Sequence, residues 1–88
     1  MTEGCVVARH SCRSGVKELE YFLLGTPRLE RTSYSVMVFA RQEEKTRFAR
    51  VEDITCDAAR AKRYFEKLCG AQVRPENLGE VLYELITV

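Results

Sequence analysis

The spacing of apolar residues changes once along this chain, near residue 55, and that change constrains the fold more than any other feature. Before it, apolar side chains alternate or run continuously in short segments, as strands require. After it they recur every three to four residues, as an amphipathic helix requires. Val16 to Leu24 (VKELEYFLL) places Leu19, Tyr21 and Leu23 on one side and Phe22 and Leu24 on the other. Gly25-Thr26-Pro27 is expected to break that run, because proline cannot donate to a ladder and glycine weakens a strand. Tyr34 to Ala40 (YSVMVFA) is the strongest strand signal, rich in β-branched and aromatic residues. Gln42-Glu43-Glu44-Lys45 reads as a turn, and Phe48 to Ile54 as a third strand. Links this short cannot carry a crossover, so the strands are expected to form an antiparallel meander.

The last third reads as two helices. Thr55 or Asp57 can cap the first, and Ala61, Tyr64, Phe65 and Leu68 form its inner stripe. Gly70 is placed to end it as a left-handed residue. Pro75 opens the second helix, whose stripe is Leu78, Val81, Leu82, Leu85 and Ile86. Gly79, inside that helix, allows a close approach or is neutral. The 88 residues thus form a single domain of class α+β. An antiparallel meander of three or four strands (16–54) precedes a C-terminal helical hairpin (55–88) packed on one sheet face. Residues 1–15 read as a weak or partly ordered segment, with a β-like stretch from Cys5 to Cys12 and a turn at Ser14-Gly15.

Four of these stretches are Glu20-Tyr21-Phe22-Leu23-Leu24, Tyr34-Ser35-Val36-Met37-Val38, Val51-Glu52-Asp53-Ile54-Thr55 and Val73-Arg74-Pro75-Glu76-Asn77-Leu78. Through them, residues 16–88 resemble a domain-of-unknown-function family of small uncharacterised bacterial proteins from Gram-positive anaerobes. The resemblance implies a compact cytoplasmic domain and brings no reaction, cofactor or catalytic residue with it. That family often carries Ser or Thr before the proline. Arg74 stands there in this chain, which leaves the second helix without that cap.

Charge points to no particular partner. Fourteen Lys and Arg face thirteen Asp and Glu, and the net charge is +2, −1 and 0 over residues 1–17, 18–54 and 55–88. Neither bulk nucleic acid nor an anionic membrane is favoured by such a balance. No apolar run is long enough for a membrane span, and the N-terminus does not read as a signal peptide. A cytoplasmic protein with reduced thiols is expected.

Candidate chemistry is sparse. Cys5, His10 and Cys12, with Cys56 or Cys69, are soft metal ligands, but their spacing matches no zinc module, and no metal or other cofactor is assigned. Cys56 lies at a helix start, where a thiolate is favoured, yet Asp53 and Asp57 oppose it. Glu52 and Asp53 would point to opposite faces of a strand, so no acid–base pair and no catalytic residue are assigned. Arg41, Arg47 and Arg50 flank one hairpin, and Arg60, Arg63 and Lys67 line a helix. Together they could contact phosphates, an alternative that interleaved acidic residues weaken. What the composition leaves unexplained is surplus apolar surface. Phe22, Leu24, Met37 and Phe39 lie opposite the strand face that two helices can cover. Such a patch marks an interface. The primary expectation is therefore a non-enzymatic interaction module that homodimerises through the second sheet face. The alternative is that the N-terminal segment folds back over that face.

Overall fold

The computed structural model describes residues 4–87. Four strands, β1 (Cys5–Ser14), β2 (Lys17–Pro27), β3 (Thr32–Gln42) and β4 (Lys45–Thr55), form one antiparallel sheet in chain order. The helix α1 (Ala58–Gly70) follows. A 3₁₀ turn (Pro75–Asn77) then runs directly into α2 (Leu78–Thr87). This is the α+β meander with a helical hairpin, built with four strands.

Two tight turns fix the register. Gly15-Val16 joins β1 to β2 with Ser14 opposite Lys17, and Gly15 takes the positive φ (65°) that glycine adopts without strain. Glu43-Glu44 joins β3 to β4 with Gln42 opposite Lys45. From these two turns every pair across each hairpin follows until a bulge intervenes, because the strand period is two.

Cys5–Ser14 is a full ten-residue strand, longer than the β-like stretch expected from Cys5 to Cys12, and residues 1–3 of the N-terminal segment lie outside the described residues. It pairs beside β2, so it extends the sheet and does not fold back over either face. β2 also runs through Gly25 to Pro27, where a break was expected. Gly25 is buried, and a Cβ there would lie 3.1 Å from Val7 and 3.2 Å from Thr32. The missing side chain therefore lets β1 and β3 close around it. Pro27 sits at the strand end, opposite Thr32.

The helices cover one face. Leu19, Tyr21 and Leu23 of β2 and Val36 and Val38 of β3 are each at most 1% exposed. They pack with Ala61, Phe65 and Leu68 of α1 and Leu78 and Leu82 of α2. Each such leucine contributes about 1.5–3 kcal/mol by leaving water. Tyr21 adds a polar tie, its hydroxyl donating to the Val73 carbonyl at 2.9 Å. That bond fastens the α1–α2 connection to the centre of the sheet.

The helix ends differ in part from expectation. Asp57 is the N-cap of α1, its Oδ1 accepting from Arg60 N at 3.0 Å, while Thr55 Oγ1 accepts from Asp57 N. The left-handed residue after α1 is Gln72 (φ 52°) and not Gly70, which is still helical. Val73 N then donates to Leu68 O, turning the chain back toward the sheet. Arg74 offers no side-chain cap to the 3₁₀ turn. Nothing approaches Gly79 within 4 Å, and Ile86 is exposed, so the inner stripe of α2 is narrower than its sequence period implied. No helix is long and apolar enough to cross a membrane among the described residues.

Replacing Tyr21 by Phe should lower stability by about 1–2 kcal/mol, because a buried carbonyl loses its donor. Urea denaturation should show an earlier midpoint with an unchanged slope. An unchanged midpoint would mean that the hydroxyl does not fasten the connection.

Candidate functional site

The opposite face of the sheet carries no helix. β2 places Phe22 and Leu24 there and β3 places Met37 and Phe39, all half-buried. From β4 comes Phe48, which is 65% exposed and lies outside the four residues expected at the interface. Phe39 pairs directly with Phe48 across the β3–β4 ladder, as the two-residue turn at Glu43-Glu44 requires. Their rings are nearly parallel, with centroids 5.6 Å apart. Phe22 meets Phe39 edge to face at 5.7 Å, and the Arg9 guanidinium lies 5.7 Å from the Phe22 ring centre. A row of one arginine and three phenylalanines therefore crosses all four strands. Aromatic pairs of this kind contribute about 0.5–1.5 kcal/mol each beyond burial.

Charged residues frame the row. Arg9 pairs with Glu20 at 2.6 Å, Glu18 accepts from Arg13 at 3.0 Å and lies 3.8 Å from Arg41, and Arg50 pairs with Glu52 at 3.1 Å. These partners are largely exposed, so each pair contributes less than about 1 kcal/mol to stability. A depression of about 520 Å³ opens between Glu18, Arg41 and the flank of Phe39, at the β1–β2 hairpin end of the face.

The other end is closed by a polar knot. β4 bulges where it passes Ser35, and Asp53 takes a left-handed backbone (φ 54°). Its Oδ1 accepts from Ser33 Oγ at 2.5 Å and from an Arg28 Nη at 3.1 Å, while its N–H donates to Ser35 Oγ at 3.2 Å. Ser33 and Ser35 are buried beneath it. The Ser33 hydroxyl first, and Arg28 second, hold the Asp53 carboxyl below its ordinary pKa of 3.8. The knot orders the β4 end and supplies no acid–base partner. Glu52, its sequence neighbour, is tied to Arg50.

The remaining sequence candidates do not converge. Cys5 and Cys12 lie toward opposite ends of β1, about 23 Å apart at strand rise. Cys56 precedes α1, and His10 packs 6.2 Å from Tyr21. No set of three or more His, Cys, Asp and Glu side chains suited to a metal occurs among the described residues. Arg60, Arg63 and Lys67 are exposed on α1, on the helical side of the sheet. Arg41 and Arg50 stand on the other side, and only Arg47, opposite buried Ala40, faces the same way as α1. The two basic groups therefore form no common surface, because the sheet lies between them.

Because Asp53 is held ionised by its partners, its contribution to stability is fully present above about pH 4. It is lost as the pH falls through the depressed value. Asp53→Asn keeps a residue that tolerates the left-handed backbone and removes the charge. It should melt below the parent at pH 7, and the gap should narrow as the pH falls below the ordinary carboxylate value of 3.8. An equal gap above and below that value would assign the loss to shape rather than charge. Comparison with known proteins found no family model, no curated protein and no solved structure that matches this chain.

Proposed function

We propose that this protein is a small non-enzymatic interaction module whose open sheet face packs against the same face of a second copy. The observation that carries the reading is the continuous apolar row of Phe22, Phe39 and Phe48, flanked by Leu24 and Met37, on a face without a helical layer. Four strands at about 4.8 Å spacing and about 33 Å length present roughly 600 Å² of nominal face. That approaches the roughly 800 Å² per partner of a standard specific interface. Its centre is aromatic and its edges are charged, the layout common to such interfaces.

The frame favours a second copy over an unrelated partner. Both signs are present on the face, in Arg9, Arg13, Arg41 and Arg50 against Glu18, Glu20 and Glu52. A two-fold rotation can set each sign against its opposite, so the face is compatible with itself. Stacked sheets pack about 10 Å apart, a distance that phenylalanines projecting from both sides fill.

Sedimentation velocity at micromolar to high micromolar concentration should show twice the mass of one chain. Phe39→Glu puts a charge at the centre of the row and should reduce the particle to a single chain with an unchanged circular dichroism spectrum. Tyr83→Glu, on the exposed side of α2, should leave the larger particle intact. A parent protein that sediments as one chain throughout this range would overturn the reading.

A further inference from the structure

The helical side of the sheet holds a second arrangement that self-association through the open face leaves unused. Cys12 lies on β1 opposite Leu19, on the face the helices cover, and Cys69 lies in the last turn of α1. Both thiols are half-buried and pack against the core. Tyr21, diagonal to Cys12 across the β1–β2 ladder, reaches the chain just after Cys69. Burial first, and then the charges of Cys12 and Cys69, push the Tyr21 hydroxyl above its ordinary value. The chain just after Cys69 is fastened to the same place at two points. Gln72 Nε2 donates to the Arg13 carbonyl at 3.5 Å, and Val73 accepts from Tyr21 at 2.9 Å. Cys5 and Cys56, by contrast, are exposed, one at the start of β1 and the other ahead of α1.

We propose that Cys12 and Cys69 form a redox-sensitive pair that closes to a disulfide joining the edge strand β1 to the end of α1. The oxidant is a small-molecule disulfide such as oxidised glutathione. The Cys12 thiolate attacks one of its sulfurs, forming a mixed disulfide and expelling one thiolate. The Cys69 thiolate then attacks the Cys12 sulfur, forming the internal bond and expelling the second. Two protein thiols lose two electrons, the reagent gains them, and the two protons released by the protein neutralise the two leaving thiolates.

The order of attack follows from burial. Burial first, and then the charge of Cys12, push the Cys69 thiol up to about 11. Cys69 is therefore almost entirely un-ionised at pH 7, so it serves as the resolving thiol and its step is slow. Closure should quicken about tenfold for each pH unit between 7 and 9. Glutathione carried on Cys12 should accumulate at the lower pH.

The test uses the full chain with Cys5→Ser and Cys56→Ser, equilibrated with mixtures of reduced and oxidised glutathione, trapped with acid and mapped by mass spectrometry. The expected product has lost two hydrogens and yields a Cys12–Cys69 cross-linked peptide. Cys12→Ser or Cys69→Ser, added to the same background, abolishes it. Closure should also be at least tenfold more favourable in the folded chain than in guanidinium chloride, since a bond compatible with the fold stabilises it. The closed form should melt roughly 10 °C or more above the open one. Failure to close at pH 9, or closure no more favourable folded than unfolded, overturns the proposal. A disulfide that lowers the melting temperature overturns it as well.

Discussion

The burial of Leu19, Tyr21 and Leu23 beneath α1 and α2 is the contact on which the rest of the molecule depends. It selects which face of the sheet becomes core, and the period of two then assigns every other strand residue. It also positions the α1–α2 connection, because the Tyr21 hydroxyl reaches Val73 at the point where the chain turns back. Two helices can shield one face of a four-stranded sheet, and Phe22, Leu24, Met37 and Phe39 are left on the other by the same alternation that buries their neighbours. The aromatic row is thus a geometric consequence of the core, with Phe48 added by register.

The two faces differ in how polar groups are treated. On the helical side the Tyr21 hydroxyl is inside and partnered, and no buried side-chain polar atom of either face lacks a partner among the described residues. On the open side exposed ion pairs, with the buried Ser33 and Ser35 of the Asp53 knot at one end, frame an apolar centre. The frame contributes little to folding, so its value lies in setting orientation for whatever meets the face.

Most of the fold was legible in the sequence because local and long-range signals agreed. Alternation in Leu19 to Leu24 and Tyr34 to Ala40 assigned the faces, and the 3.6-residue period assigned the helices. What was missed has physical causes. Residues Cys5–Ser14 have mixed polarity because an edge strand buries few of its side chains, so their pairing depends on the Gly15-Val16 turn and not on their own pattern. The bulge at Asp53 depends on Ser33, Ser35 and Arg28 converging from other segments, which no local window contains. Gln72 took the left-handed position expected of Gly70 because the chain returns to Tyr21 at the very next residue, Val73. Phe48 was within reach of a sequence argument. A two-residue turn at Glu43-Glu44 sets it opposite Phe39, and counting outward from that turn would have completed the aromatic row. Residue type alone could not show that Arg41 and Arg50 stand on the other side of the sheet from Arg60, Arg63 and Lys67.

The sheet order β1-β2-β3-β4 matches the chain order. Each strand therefore needs only its immediate predecessor to pair, and the sheet can zip from the N-terminal hairpin onward as the chain emerges from the ribosome. The helices that cover it lie entirely in the C-terminal third. Until α1 and α2 arrive, both faces of the nascent sheet are wet, the future core face as well as the open one. Vectorial synthesis thus gives this chain an interval in which its two apolar faces are equally available. The docking of α1 and α2 ends that interval by leaving one face to its neighbours.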